Sequence, residues 1–246
     1  MNLYKLHSKP KVLLHSDKID EIPQLAWAKL TNSGNIRNRN KYTQALAKSL
    51  EPTFLKDPGI TMKYLNNFIF QRKKFNQDTK PQRYKPAEPI LLTSPKQALA
   101  YAKKYIRGPW PEAEDIIATD AKAAEGYAYN VLRERWPKGE AAILTNMDVI
   151  IEYAEYTIRG RWPEGEAAIL KNAVEKGRAD VIIAYCQGPL NAERWPEAEK
   201  VLLKNANPEH LAEYASDIIR DRWKPAEKFI KKDRRAWEDY DYHVDL

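Results

Sequence analysis

Two segments of the N-terminal third are rich in basic side chains that could bind anions. The first, NSGNIRNRNKY at residues 32–42, contributes Arg37, Arg39 and Lys41. The second, FQRKKFNQDTKPQRYK at residues 70–85, contributes Arg72, Lys73, Lys74, Lys80, Arg83 and Lys85. Such cations neutralise phosphates, and Tyr42, Phe75 and Tyr84 could stack on bases beside them. These side chains are candidate contacts for DNA or RNA, or for an acidic protein surface.

The formal charge of the chain has the same asymmetry. Residues 1–90 carry 17 Lys and Arg against 7 Asp and Glu, whereas residues 91–246 carry 24 against 27. The net charge of +7 therefore belongs to the N-terminal third. An asymmetry of this kind favours an acidic partner such as nucleic acid.

A repeated motif, RGRWPEGEAAIL at residues 159–170, organises the rest of the chain. Each copy has a Trp, a Glu four residues later, and a Tyr nine or ten residues before the Trp. The tryptophans are Trp110, Trp136, Trp162, Trp195 and Trp223. The glutamates are Glu114, Glu140, Glu166, Glu199 and Glu227, and the tyrosines are Tyr101, Tyr127, Tyr153, Tyr185 and Tyr214. Successive Trp residues are 26, 26, 33 and 28 residues apart, so insertions between copies are tolerated.

Degenerate copies extend the repeat towards the N-terminus. RYKPAEPILLTSP aligns with DRWKPAEKFI, which puts Tyr84 at the Trp position and Glu88 at the Glu position. Glu51 precedes Tyr64 by the 13 residues that separate Glu114 from Tyr127. With Trp27 at a Tyr position, about seven copies cover residues 22–232, and period searches of this kind identify repeat folds.

Each copy is expected to fold as two short antiparallel helices. Ile150, Tyr153 and Ala154 have the spacing of one buried helix face. Pro163 suits the first position of a second helix, and Glu166 in its first turn is favourable to the helix dipole. Two short helices cannot bury a core alone, but a stack of them can. The sequence therefore predicts an all-α fold, an α-solenoid of about seven short helical hairpins with a period of mostly 26–37 residues.

The repeat also divides the chain into four parts. Residues 1–21 are predicted to form an N-terminal cap segment, and residues 22–94 hold the degenerate repeats with their basic inserts. Residues 95–232 hold the regular Trp-Pro-Glu repeats. Residues 233–246, ending in WEDYDYHVDL, are interpreted as an acidic aromatic tail that is solvated or docked on a basic surface.

Arginines crowd the turn between the two helices of each copy. They are Arg107, Arg133, Arg135, Arg159, Arg161, Arg194, Arg220 and Arg222. One interpretation is a basic edge on which Arg135 and Arg161 contact a partner protein or nucleic acid. The other is architectural: the repeated Arg forms an ion pair with the repeated Glu and complements helix C-termini.

The sequence offers no catalytic constellation. Cys186 takes the place of Ala128 and Ala154 in other copies, which indicates a small packing residue. The histidines, His7, His15, His210 and His243, lack zinc-ligand spacing. A phosphate-binding glycine loop, a nucleophile elbow and a His-Glu helix motif are all missing. We therefore expect a non-enzymatic protein without cofactor or metal. No apolar run is long enough to span a membrane, so an intracellular, soluble chain is expected.

The stretch YAEYTIRGRWPEGEAAIL at residues 153–170 resembles repeats of the form YA-x-x-VI-x-G-R-(W/F)-P-E-(G/A)-E in small proteins of tailed bacteriophages. The opening MNLYKLHSKPKVL is similar to the start of many of them. The resemblance is specific over residues 95–230 and weak over 20–90. It implies a phage-encoded accessory protein in the cytoplasm of an infected bacterium. Such a protein would bind a host or phage protein, for host takeover or counter-defence; nucleic-acid binding through the basic edge is the alternative.

Overall fold

The structure, a computed structural model, describes residues 27, 30, 41–69 and 83–244, with side chains at all of these except 41–43. All regular secondary structure in this part of the chain is helical, which confirms the predicted all-α fold class. Several predicted binding residues lie outside the described side chains: Arg37, Arg39, Lys41, Arg72, Lys73, Lys74 and Lys80. No helix in the described ranges has the length and apolar character needed to cross a bilayer.

The chain divides into two compact units, residues 1–116 and 117–246. The helices of unit 1 are α1 (Lys41–Ser49), α2 (Glu51–Phe54), α3 (Pro58–Tyr64), α4 (Glu88–Leu91) and α5 (Pro95–Tyr101). A 3₁₀ turn, Lys85–Ala87, precedes α4. Leu30, Phe54 and Tyr64 form a buried core, and Trp27 packs edge-on against Phe54 with ring centroids 5.7 Å apart. The degenerate copies therefore have an aromatic core like that predicted for the regular ones.

The first regular repeat, with Trp110 and Glu114, belongs to unit 1, and unit 2 contains the others. Helix α6 (Pro111–Ile117) lies in unit 1 except for its last residue, Ile117, which is the first residue of unit 2. The following helices are α7 (Ala121–Tyr127), α8 (Pro137–Ile143), α9 (Met147–Glu152), α10 (Pro163–Lys176) and α11 (Ala179–Gln187). The last four are α12 (Pro196–Asn205), α13 (Pro208–Tyr214), α14 (Lys224–Ile230) and α15 (Arg234–Val244).

The hairpins of unit 2 stack in two layers. The first helices of successive copies, α7, α9, α11 and α13, and then α15 each pack on the next in the series. Among the second helices, α10 packs on α12, which packs on α14. Tyr153, Tyr185 and Tyr214 are fully buried between these layers. Each hairpin thus covers the face that its neighbour leaves open, which is the arrangement of an α-solenoid and confirms the helical repeat.

The second helix of a copy begins at its proline, as predicted. Trp136, Trp162 and Trp195 occupy the N-cap positions of α8, α10 and α12, and a proline follows each of them. No side chain caps these three helices. Proline at the first position removes an N–H that would otherwise lack a partner.

Several first helices end in a π-helical turn that the sequence did not predict. The turns are Leu65–Ile69, Ala102–Ile106, Ala128–Leu132, Tyr153–Ile158 and Ala215–Ile219. In one of them the Arg133 N–H donates to the Ala128 carbonyl oxygen, five residues earlier, at 2.6 Å. Wide turns of this kind change the direction of the side chains that follow, and they occur often at functional sites.

Residues 234–244 form α15 rather than a solvated tail, which corrects that part of the sequence interpretation. Ala236 and Tyr240 are buried, and Tyr240 packs like the tyrosine of a further copy. Arg222 forms an ion pair with Asp241 at 2.6 Å. The helix therefore packs on both helices of the preceding hairpin, α13 and α14, as neighbouring repeats do in a stacked array.

Candidate functional site

The repeated residues form a hydrogen-bonded junction between successive copies. The backbone N–H of Trp162 donates to the hydroxyl oxygen of Tyr185 in the next copy at 2.9 Å. That hydroxyl donates to Glu166 at 3.3 Å, and Arg161 donates to both carboxylate oxygens of Glu166 at 2.9 and 2.8 Å. The Trp162 ring also packs against Tyr153 of its own copy, with centroids 5.1 Å apart. One tryptophan thus connects the tyrosines of two copies.

The same junction recurs along unit 2. The distance from the backbone nitrogen of the Trp to the hydroxyl oxygen of the next Tyr is 2.7 Å for Trp136 and Tyr153, 3.0 Å for Trp195 and Tyr214, and 2.7 Å for Trp223 and Tyr240. Arg135 binds Glu140 at 2.6 and 3.0 Å, and Arg194 binds Glu199 at 2.8 Å through both oxygens. The repeated aromatic and charged residues hold consecutive hairpins in register.

The degenerate copies in unit 1 contain the same junction. The Tyr84 N–H donates to the Tyr101 hydroxyl at 2.5 Å, which confirms that Tyr84 stands at the Trp position. Arg83 binds both oxygens of Glu88 at 2.8 Å. The Tyr64 hydroxyl donates to Glu51 at 2.5 Å, which agrees with the predicted alignment of these two residues with the repeat. The degenerate copies in residues 51–101 therefore make the same kind of contacts as the regular copies.

The described members of the predicted binding set, Arg83, Lys85, Arg135 and Arg161, all pair with glutamates. Arg83 also reaches Glu112 at 3.2 Å, and Lys85 lies 3.3 Å from Glu88. Arg135 and Arg161 remain about half exposed, at 47% and 49% of their side-chain surface. The structure thus favours the architectural interpretation of these four side chains, and partner contact by them stays a prediction.

Burial at the junctions changes the ionisation of their groups. Burial, with a smaller contribution from the neighbouring Glu140, raises the pKa of Tyr153 to about 12, although the hydrogen bond from the Trp136 backbone acts in the opposite direction. Burial likewise raises the pKa of the Cys186 thiol to about 12. The cysteine is fully buried, which agrees with its predicted packing role.

The arginine two residues before each paired arginine has a different environment. Arg133 and Arg159 stand just after their π-helical turns in the left-handed region, with φ values of 62° and 63°. Neither forms an ion pair with any described side chain. A left-handed conformation suits Gly better than Arg, and a bulky residue there costs about 1 kcal/mol or more. A cation at a helix C-terminus complements the dipole, but that does not explain the neighbouring aromatic side chains.

Tyr129 and Tyr156 form an exposed aromatic pair next to these arginines. Their ring centroids lie 6.1 Å apart with planes tilted by 55°. The two residues are 47% and 48% exposed, which places them among the most exposed large apolar residues of the described chain. Glu155 bonds the Tyr156 hydroxyl and raises the pKa of that phenol. Exposed aromatic side chains in contact with one another are a common feature of interaction sites.

Together these residues line one groove of about 330 Å³, which we call the Tyr-Arg groove. Its lining consists of Tyr129, Asn130, Arg133, Tyr156, Thr157 and Arg159. Among the described residues this lining has two cations and no acidic side chain. The Thr157 hydroxyl is buried without a hydrogen-bond partner in the described part of the chain. The groove therefore offers donors that the fold itself does not use.

Sequence reasoning placed Arg133 and Arg159 in the arginine-rich turn but did not single them out, and it missed the tyrosines. Tyr129 and Tyr156 are 27 residues apart, whereas the local repeat is 26, so they do not occupy equivalent positions. Their contact arises because two consecutive π-helical turns lie side by side. A comparison of repeat positions could not find this pair.

A second, larger groove of about 860 Å³ lies between α13 and α15. Its lining includes Glu209, Glu213, Asp217, Glu238 and Asp239 together with Arg235 and His243. Burial raises the pKa of Glu213, against the effect of His210, and Asp217 and Asp180 raise it further. No group of three or more His, Cys, Asp and Glu in the described ranges is arranged to hold a metal ion. This groove is a weaker candidate because two of its acids already have basic neighbours within α15: Glu238 pairs with Arg234 at 2.7 Å, and Asp239 lies 3.5 Å from His243.

Comparison of the chain with family models, with curated proteins and with solved structures found no match.

Proposed function

We propose that this protein is a non-catalytic interaction scaffold that binds a partner protein through the Tyr-Arg groove. The observation that carries the proposal is the contrast between arginines two residues apart. Arg135 and Arg161 are engaged by glutamates of the junctions, whereas Arg133 and Arg159 are exposed beside an aromatic pair. Tyrosine and arginine are enriched among the residues that dominate binding energy at protein interfaces.

The stacked hairpins suit this role because they hold the groove on a rigid base. The groove residues belong to two consecutive π-helical turns and the arginines that follow them. Below them, Tyr127 and Tyr153 are fully buried and pack on Trp136 and Trp162, with centroids 4.9 and 5.1 Å apart. A preorganised surface loses less conformational entropy on binding.

The resemblance to phage repeat proteins supports a more specific proposal for the partner. It would be a host or phage protein in the cytoplasm of an infected bacterium, and binding would redirect host machinery or neutralise a defence system. Nucleic-acid binding is the second candidate. It is favoured by the 17 Lys and Arg against 7 Asp and Glu of residues 1–90.

Affinity capture of the tagged protein from infected cells, with and without nuclease, tests the scaffold proposal. The informative variant carries Arg133→Glu and Arg159→Glu. Its matched control carries Lys171→Glu and Lys200→Glu, which make the same charge change at exposed positions outside the groove. We expect a specific partner that survives nuclease, that the control variant retains, and that the groove variant loses.

Two outcomes would count against this proposal. Loss of every partner on nuclease treatment would favour nucleic-acid binding. A partner held equally by the groove variant and by the wild type would place the binding surface elsewhere.

A further inference from the structure

The Tyr-Arg groove has the charge and size to bind one short piece of a partner rather than a broad surface. Its volume of about 330 Å³ is at the lower end of the ~300–1,000 Å³ typical of ligand pockets. It presents the guanidinium groups of Arg133 and Arg159 with no acidic side chain in its described lining. Guanidinium groups bind carboxylates through paired, charge-assisted hydrogen bonds.

The tyrosine pair indicates which kind of group should lie beside the carboxylate in a ligand. Tyr129 and Tyr156 offer about half of their surface to solvent in the same groove. An apolar or aromatic side chain that covers these rings removes them from water and contributes in proportion to the area buried. A ligand that joins a carboxylate to such a side chain matches both features.

Resting on the proposed function, we infer that the groove binds an extended peptide segment of the partner protein in which a carboxylate side chain is adjacent to an apolar or aromatic one. Arg133 and Arg159 hold the carboxylate, and Tyr129 and Tyr156 pack against the apolar neighbour. Both arginines follow π-helical turns of consecutive copies, so the site exists only where two such copies are stacked.

The surrounding charge favours a peptide over a nucleic acid. Residues 117–246 carry 20 Lys and Arg against 24 Asp and Glu. A polynucleotide would extend beyond the two arginines over a net acidic unit, where its phosphates are repelled. A peptide with one or two carboxylates does not meet this cost.

The test uses the full chain, isotopically labelled for NMR, and three probes. The first is a short peptide with a phenylalanine flanked by glutamates, the second replaces its glutamates with glutamines, and the third is a short oligodeoxythymidylate. We expect the acidic peptide to shift the Nε–H resonances of Arg133 and Arg159. The glutamine peptide should bind at least ~10-fold more weakly, because the charge-assisted bonds are lost.

Variants locate the site and keep the test independent of folding. Arg133→Gln with Arg159→Gln, and separately Tyr129→Ala with Tyr156→Ala, should each weaken the acidic peptide by about 10-fold or more while the thermal midpoint stays unchanged. Lys171→Gln with Lys200→Gln is the matched control and should bind as the wild type does.

Three results would overturn the inference: no binding of the acidic peptide, equal binding of the glutamine peptide, or preferential binding of the oligonucleotide through the two arginines. The scaffold proposal fails separately. If the peptide does not bind but capture of the cellular partner still depends on Arg133 and Arg159, the scaffold proposal stands and only the carboxylate chemistry is wrong.

Discussion

The hydroxyl of Tyr185 accepts the backbone N–H of Trp162 at 2.9 Å and donates to Glu166 at 3.3 Å. All three groups are buried. A tyrosine of one copy therefore satisfies the first backbone donor of the preceding copy's second helix and also orients its glutamate. This bond explains why tyrosine, and not phenylalanine, recurs in the motif.

Replacing Tyr185 by Phe tests that explanation. The change leaves the Trp162 N–H buried without a partner, and we expect it to lower the free energy of unfolding by about 1–3 kcal/mol. Chemical denaturation measures the loss. Tyr129→Phe is the control, because its ring is half exposed, and it should change stability by less than ~0.5 kcal/mol. A silent Tyr185→Phe would show that water or another group replaces the hydroxyl.

Glu166→Gln tests the ion pair of the same junction. Arg161 holds both carboxylate oxygens of Glu166, whose side chain is only 11% exposed. Glutamine keeps one acceptor but loses the charge, so we expect a loss of about 1–2 kcal/mol in the free energy of unfolding. Glu175→Gln lies on an exposed position of the same helix and should be neutral. Equal stability of both variants would contradict a structural role for the pair.

Alkaline pH should destabilise the fold through the buried tyrosines. The pKa of Tyr153 is raised from 10.0 to about 12, so above pH 10 the unfolded chain loses this proton while the folded chain keeps it. Stability present below pH 10 is then lost as the pH rises through 12, with a slope of about 1.4 kcal/mol per pH unit for each such tyrosine. Denaturation measured across this window should show a shallower decline for Tyr153→Phe than for the wild type.

Gly139→Ala tests the close packing between helices. A Cβ at this position would lie 2.5 Å from the Trp136 ring and 2.9 Å from the Ala124 side chain. Alanine favours a helix, but the overlap should destabilise the protein by about 1–3 kcal/mol overall. Gly108→Ala, where nothing lies within 4 Å of the added carbon, is the control. A stabilised Gly139→Ala would contradict this expectation and mean that the Trp136 ring moves aside to admit the added carbon.

Much of the fold could be predicted from the sequence because the residues that recur in every copy are those that the packing requires. The spacing of Tyr, Trp and Glu identified the buried residues, the helix starts and the degenerate copies at Tyr84 and Glu51. It also contained a signal that was missed: Tyr240 follows Glu227 by 13 residues, which marks α15 as part of the array.

The candidate site was harder to predict, for physical reasons. Sequence spacing shows that Arg133 and Arg135 occupy the same turn, but it does not show which one points to a glutamate. That depends on the π-helical turn and on the left-handed conformation of Arg133. The contact between Tyr129 and Tyr156 depends on how two copies stack, so the spacing of the repeat does not reveal it.

Site-specific photocrosslinking tests the central claim, binding of a partner at the Tyr-Arg groove, most directly. A photoreactive phenylalanine derivative replaces Tyr156, where it keeps an aromatic ring in the groove, or Val174, which does not line the groove and serves as the control. The two residues are similarly exposed, at 48% and 50%. Irradiation in infected cells is followed by detection of covalent adducts. We expect one specific protein adduct from position 156, none from position 174, and loss of the first when Arg133→Gln and Arg159→Gln are added. Equal adducts at both positions, or an adduct at 156 that survives the arginine changes, would contradict the account.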